Sequence, residues 1–183
     1  YFMAHVSRRY TGSSETQVQS DINRLEDLER TPQAFIHEIK SQIETVLTTD
    51  WWEVQLPEDF HTSSTSGPAF TAYLAALIIL DADVLLSNLK VRDWLDPSRR
   101  PVRGIEKHHL FPRAYLRDAL MVTSNLQINQ AANQALVEWL DNLKISDQAP
   151  AHYWAEQVAA KGLGADKLKE QMWWHALPDG WVD

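Results

Sequence analysis

The sequence predicts a mainly α-helical chain that carries one small β-hairpin, and three observations predict it. Apolar residues recur at helical spacing through Phe35, Ile36, Ile39, Ile43, Val46 and Leu47. Helix starts are written at Thr31-Pro32 and at Pro68. Only two short stretches read as strand. One is the run holding His108 and His109, which Pro112 stops because it offers no N–H to a ladder; the other is Gln134 to Trp139.

Residues 1–10 read as the end of a helix, with Gly12 as its stop. Ser13 or Ser14 can cap a second helix to about Arg30, with Ile22, Leu25 and Leu28 on its apolar face. Thr31 as N-cap and Pro32 at the first helical position open a third, expected to reach about Thr48. Trp51 to Phe60 is short and irregular, and His61 to Gly67 (HTSSTSG) is a polar loop. The helix opened by Pro68 is apolar enough to belong in the core and ends near Leu80. Asp96-Pro97-Ser98 is a turn into a basic run. Beyond the histidines, Arg113 to Leu120 reads as a short helix and Gln127 to Ala132 as a turn or single helical turn. Asn142 lies near the start of the next short helix. Pro150 opens another to about Ala160, which Gly162 and Gly164 end; the tail from Trp173 to Trp181 is rich in aromatics. The expected division is a helical lead-in over 1–103, a compact chemical module with its flanking helix over 104–160, and a tail over 161–183.

The chain's 183 residues suffice for a real core, and its 44% apolar content is that of a globular protein. The absence of cysteine excludes a disulfide framework and a thiolate zinc site, and suits a reducing cytoplasm. The longest apolar run, Ala69 to Leu80, is too short to cross a bilayer, and no signal peptide precedes it, so no membrane partner is expected. The sequence starts at Tyr1 without an initiator methionine, as a piece of a longer protein would. A net charge of −8 weighs against a general nucleic-acid binder, because phosphate contacts need lysine and arginine. The charge is uneven, however. Lys90, Arg92, Arg99, Arg100, Arg103, Lys107, Arg113 and Arg117 face only Asp93, Asp96 and Glu106 in that window, a surplus of about +5 around the histidine pair. A basic run is most often solvated surface; its place beside two histidines favours an anionic substrate.

Neighbouring side chains of a strand point to opposite faces, so His108 and His109 can serve one site only where the strand bends or ends. Downstream, Asn133 and Asn142 stand nine residues apart. Hydrolysing a phosphodiester needs a base to take a proton from water and a cation to stabilise charge on phosphorus and the leaving oxygen. Histidine, with an ordinary pKa of about 6.5, is mostly neutral near pH 7 and suits the first task. A hard ion such as Mg²⁺ keeps several waters and needs few protein ligands.

The segment from Glu106 to Tyr153 resembles the HNH (ββα-metal) nuclease fold. In EKHHLFPRAYL, NQALVEW, DN and LKISDQAPAHYW it looks like the C-terminal nuclease module of Gmr-type modification-dependent restriction enzymes, bacterial phage-defence proteins. SRRYTGSSET and HALPDGW look like the flanks of that module, so the resemblance covers most of the chain. His-His-x-x-Pro alone is a weak signal; joined to Asn133, Asn142 and ISDxxP it is a strong one. Carried over by position, the resemblance makes His109 the general base and His108 the first metal ligand, where many such sites have aspartate. It makes Asn142 the second ligand and Asn133 the asparagine that ties the loop and orients the base. It further implies Mg²⁺, replaceable by Mn²⁺, double-stranded DNA as substrate, and a nucleotide-hydrolysing domain in the rest of a larger cytoplasmic protein. Arg99, Arg100, Arg103, Lys107 and Arg113 are the candidate phosphate contacts.

Each assignment has a plainer competitor. A histidine at a strand end is usually a half-buried polar side chain, and only the surrounding pattern singles out His109. The neutral His108/Asn142 pair makes a weak Mg²⁺ site that a third ligand or substrate phosphate would have to complete. Asn125 and Asn129 compete for the asparagine roles, although Asn125 has no asparagine or histidine nine residues on. His5, His37, His61 and His152 have no motif around them and are expected at the surface; His175 lies in a flank with no chemistry assigned. The eight tryptophans are packing residues first, with Trp139 left open as a base-stacking surface. The alternative function is an inactive HNH-like module that only binds DNA or a protein partner.

Overall fold

The protein, seen in a computed structural model that describes residues 2–96, 98 and 104–182, is mainly helical with one two-stranded antiparallel sheet. Its residues fall into two compact units. One comprises the chain to Phe60 with Ser66–Ala72, the other His61–Thr65 with everything from Tyr73 onward.

The first unit contains α1 (Phe2–Val6), α2 (Ser14–Glu26) and α3 (Pro32–Val46), then a π-helical turn at Trp51–Gln55 that runs into α4 (Leu56–Phe60). The start of α3 is as expected: Thr31 is extended, and its Oγ1 accepts a hydrogen bond from Ala34 N at 3.2 Å. α2 stops at Glu26, short of the expected Arg30, because the residue before a proline is driven out of the helical region and the chain must turn first. Val6, Trp51 and Ala72 form a small core with Leu47 and Leu56 around them. Helical periodicity predicted α2 and α3 but not their depth, for Ile22, Phe35 and Ile36 remain exposed and α3 buries no residue. Arg9 Nε donates to Asp21 Oδ2 at 2.8 Å, and this guanidinium holds the carboxyl down at about 2.

α5 (Pro68–Ile79) contributes Leu77 to the core of the second unit, where it meets Val84, Val91, Ile105 and Leu136. α6 (Val91–Leu95) follows. At the expected turn beyond it, Ser98 N and Oγ both donate to Asp96 Oδ1, at 2.9 and 2.7 Å; Pro97 itself lies outside the described residues. β1 (Ile105–His109) pairs antiparallel with β2 (Gln134–Glu138), Ile105 opposite Glu138 and His109 opposite Gln134. Between the strands, Arg113 starts a helical turn that widens to π geometry over Tyr115–Ala119. α7 (Asn125–Ile128) and a 3₁₀ turn at Ala131–Asn133 complete the connection. α8 (Trp139–Ile145) leaves β2 directly, so Trp139 belongs to the helix rather than to the strand. α9 (Pro150–Lys161) ends at Gly162, whose φ of 61° is the left-handed cap that glycine adopts without penalty. Gly164 is not a second stop: it is the N-cap of α10 (Ala165–Trp174), a helix inside the segment expected to be tail. Trp181 then closes the core edge-on against Trp154 and Phe111, with ring centroids 5.0 and 5.9 Å apart. Among the described residues no helix is long and apolar enough to cross a membrane.

His175, at the end of α10, is 5% exposed and structural. Its Nε2–H donates to Asp83 O at 2.9 Å, which leaves Nδ1 to accept from Tyr73 Oη–H at 2.7 Å. Burial pushes its pKa down to about 4, against about 6.5 in an unfolded chain. Between these values the unfolded state binds the proton more readily, so this contribution is complete above pH 6.5 and is lost as pH falls toward 4. Across that window His175 should cost about 3 kcal/mol of unfolding free energy. Urea titrations from pH 4 to 7 should show that slope in the parent and a shallower one in His175→Gln; equal slopes would exclude it.

Candidate active site

The site is built on the end of β1. The ladder is prolonged at both ends, by Trp139 N to Gly104 O at 2.8 Å and by Leu110 N to Asn133 O at 2.9 Å, after which buried Pro112 forbids continuation. Asn133 fixes this corner with its side chain. Oδ1 accepts from Phe111 N at 2.8 Å, and Nδ2 donates to Phe111 O at 3.0 Å and to Ile128 O at 3.1 Å. One amide thus satisfies three backbone groups of a turning chain, which irregular backbone near a core requires. Tyr153 Oη–H, from α9, donates to Leu110 O at 2.7 Å between the same two segments.

His108 points inward, 4% exposed, and packs edge-on against the Tyr153 ring at 5.7 Å. Its Nδ1–H donates to Asn142 Oδ1 at 2.7 Å. Asn142, in the middle of α8, donates its own Nδ2 to Glu106 Oε2 at 2.8 Å. Because a carboxylate only accepts, this second bond fixes the amide with its oxygen toward the histidine. Glu106 and His108 are two residues apart in β1 and therefore share a face. The remaining nitrogen, His108 Nε2, is buried without a hydrogen-bond partner among the described residues. Burial lowers the pKa of His108; the Asn142 bond opposes the shift and the neighbouring His109 adds to it, so the ring is neutral near pH 7.

His109, half-buried, points the other way. Its Nε2 meets Asn129 Oδ1 at 3.2 Å, and Asn129 Nδ2 donates to Asn125 O at 2.9 Å, so the amide again presents its oxygen to the ring. The ring nitrogen held by Asn129 carries the proton, which leaves Nδ1 as the basic nitrogen. Burial lowers this pKa too, with Asn129 opposing and the Arg113 guanidinium reinforcing the shift. Both adjacent imidazoles are therefore neutral, the form that a base or a metal ligand requires.

The structure brings His108 and Asn142 into contact and sets Asn133 at the corner. The ring of His109 is oriented by Asn129 rather than by Asn133. Asn129 was visible in the sequence only as one of several asparagines, since its place depends on how α7 ends. Glu106 stood in the strand pattern, but only the turn of α8 shows its contact with Asn142. Of the basic residues, Arg113 and Lys107 are exposed, and Lys107 Nζ donates to Thr65 Oγ1 at 2.6 Å. Arg99, Arg100 and Arg103 lie outside the described residues. Lys90 and Arg92 are engaged elsewhere, at 2.7 Å from Asp83 and 2.9 Å from Asp81, so the positive window is narrower than its count implies. His5, His37, His61 and His152 are exposed as expected, and Trp139 is 46% exposed.

Among the described residues no three histidine or carboxylate side chains converge as a metal cluster. An imidazole nitrogen, an amide oxygen and a carboxylate are linked in sequence through the Asn142 amide, groups that suit a hard divalent cation better than a soft one. Comparison of the chain with family profiles, curated proteins and solved structures returns no match.

Asn133→Ala removes three side-chain hydrogen bonds to backbone and leaves those groups unpaired, which should cost about 2–3 kcal/mol of stability. Asn125→Ala, which loses only an exposed bond from Arg117, should change stability by less than about 0.5 kcal/mol. Paired urea denaturation curves check the contrast; equal midpoints would remove the corner role from Asn133.

Proposed function

We propose that this protein is a divalent-metal-dependent DNA endonuclease of the HNH type, with β1, β2 and α8 as its ββα-metal finger. One observation carries the reading: His108 from the strand end and Asn142 from the following helix meet at 2.7 Å, beside a neutral His109 whose ring is fixed by an asparagine. That is the arrangement expected of two ligands and a base. A bacterial cytoplasmic defence protein, of which this chain forms the nuclease part, is the setting that the sequence resemblance implies.

In this reading His108 and Asn142 are the residues that would hold Mg²⁺ or Mn²⁺, with double-stranded DNA as substrate. Such an ion would supply positive charge for the leaving 3′-oxygen and the crowded phosphorus. His109 takes the proton of the attacking water on Nδ1, while Asn129 holds the opposite nitrogen and keeps the ring aimed. Asn133 fixes the corner that sets the height of both rings. Arg113, beside His109, together with Lys107 and the arginines at 99, 100 and 103, holds backbone phosphates, contacts that position DNA without reading its sequence.

Nicking of supercoiled plasmid with Mg²⁺ or Mn²⁺, abolished by a chelator, is the direct test. His109→Ala should lower the rate by about 10²–10⁴ with DNA affinity nearly unchanged. His108→Ala and Asn142→Ala should recover part of their activity at raised Mn²⁺, whereas His109→Ala should not, because ligands act through the ion and a base does not. A His109→Ala protein with more than half the parent's rate would remove the base from this scheme.

Reversal of Arg99, Arg100 and Arg103 to glutamate should weaken DNA binding at every sequence alike. Each lost phosphate contact should reduce the log–log salt slope by about 0.9 on duplex DNA. Binding titrations across salt concentrations read the slope directly, and an unchanged slope would make the basic run mere surface.

A further inference from the structure

We propose that Glu106 is the anionic member of the cation site, supplying the negative charge that the His108/Asn142 pair lacks and holding the Asn142 amide in its ligand orientation. The proposal rests on the cation-binding part of the nuclease reading and assigns a role to a residue outside the histidine–asparagine pattern.

A neutral imidazole and a neutral amide offer a hard divalent ion two dipoles and no charge, whereas protein sites for Mg²⁺ usually include one or two carboxylates. Glu106 is the carboxylate in hydrogen-bond contact with the pair. It lies on the His108 face of β1 and reaches Asn142 Nδ2 at 2.8 Å. Among the described residues no lysine or arginine forms an ion pair with it, and its side chain is bonded to the neutral Asn142 amide. Asp118, by contrast, is an exposed carboxylate in the π-helical turn of the connection and touches neither His108 nor Asn142.

The contact has two separable consequences. As an acceptor, Glu106 takes both the amide hydrogens' direction and the choice of flip away from chance, so that Oδ1 faces His108. As an anion, it raises the affinity of that point for a cation through Coulomb attraction at close range. Glu106→Gln keeps an acceptor oxygen for Asn142 but loses the charge, Glu106→Ala loses both, and Glu106→Asp keeps the charge on a shorter arm.

The experiment is Mn²⁺ binding to the whole chain without DNA, read by the electron paramagnetic resonance of free Mn²⁺, with circular dichroism melting to verify folding. Glu106→Gln should weaken affinity by about 10- to 100-fold, the range typical of losing a residue that supports metal ligands. Glu106→Ala should be at least as weak, Glu106→Asp should recover part, and Asp118→Asn should match the parent. A folded Glu106→Gln protein binding Mn²⁺ within twofold of the parent, while His108→Ala and Asn142→Ala bind weakly, would overturn this proposal alone. A parent with no binding at millimolar Mn²⁺ would overturn this proposal, because a site with its own anionic ligand needs no substrate phosphate to complete it, and plasmid nicking would then decide the nuclease reading by itself. Glu106-dependent Mn²⁺ binding without plasmid cleavage would uphold it and overturn the nuclease.

Discussion

The site depends on the two-residue period of a strand. Adjacent side chains of β1 must leave on opposite faces, so His108 and His109 cannot share one environment, and each has its own asparagine. For His108 the partner comes from α8, which follows β2; for His109 it comes from the end of α7, in the connection between the strands. The hairpin register then sets what else is near. His109 opposite Gln134 puts the strand end against the 3₁₀ turn that delivers Asn133, and a slip of one residue would exchange the two rings between core and connection. Register is therefore the quantity this corner must protect, and the three Asn133 bonds with the Tyr153 bond to Leu110 hold it where the ladder stops.

Electrostatics follows from the same placement. His108 is buried, opposite Ala135 in the hairpin and edge-on to the Tyr153 ring, so desolvation dominates its titration and favours the neutral ring. His109 reaches neutrality with less burial and a guanidinium nearby. A chain with net charge −8 also manages its positive groups locally. Lys90 and Lys167 both pair with buried Asp83, and Lys161 bridges buried Glu138 and Asp141. Those lysines place positive charge beside buried carboxylates, a structural duty that occupies them away from phosphate. Local counting along the sequence therefore overstates the field, because Lys90 and Arg92, counted in the basic window, are held by Asp83 and Asp81.

Much of the helical framework was legible because its signals are local. Thr31-Pro32, Pro68 and Pro150 each start a helix where the sequence says one should start, and Gly162 ends one. The hairpin was legible from Pro112 and from the apolar run before Trp139, although the strand gives way to α8 one residue early, where Trp139 N bonds to Gly104 O. Depth was not legible. Phe35 and Ile36 obey helical spacing yet stay exposed, since periodicity reports a face and not what covers it. α10 was missed because its polar residues, Asp166, Lys167, Lys169 and Glu170, hide the stripe of Leu168 and Met172 that packs on the core. In the site, the pairing of His108 with Asn142 was expected from the family resemblance, whereas Asn129 and Glu106 act through contacts that exist only after three elements have met.

The orientation of α8 ties these strands of reasoning together. A seven-residue helix has little stability of its own, so Asn142 can be aimed only if the helix is held from outside. Its first residue is bound by backbone to Gly104, and its last, Ile145, is fully buried in the core beside Tyr153 and Trp154. Asp141, one position before Asn142, is buried 2.7 Å from Lys161 of α9, and that lysine also reaches Glu138, whose Oε1 accepts from Ser87 Oγ at 2.6 Å. Loss of Lys161 would remove the cation that Glu138 and Asp141 share at the junction of β2 and α8, beneath the turn that carries Asn142. The ion pairs beneath the helix and the Glu106–Asn142–His108 chain above it are thus mechanically linked: the buried side fixes where the helix lies, and only then can one amide bridge a strand carboxylate and a strand imidazole.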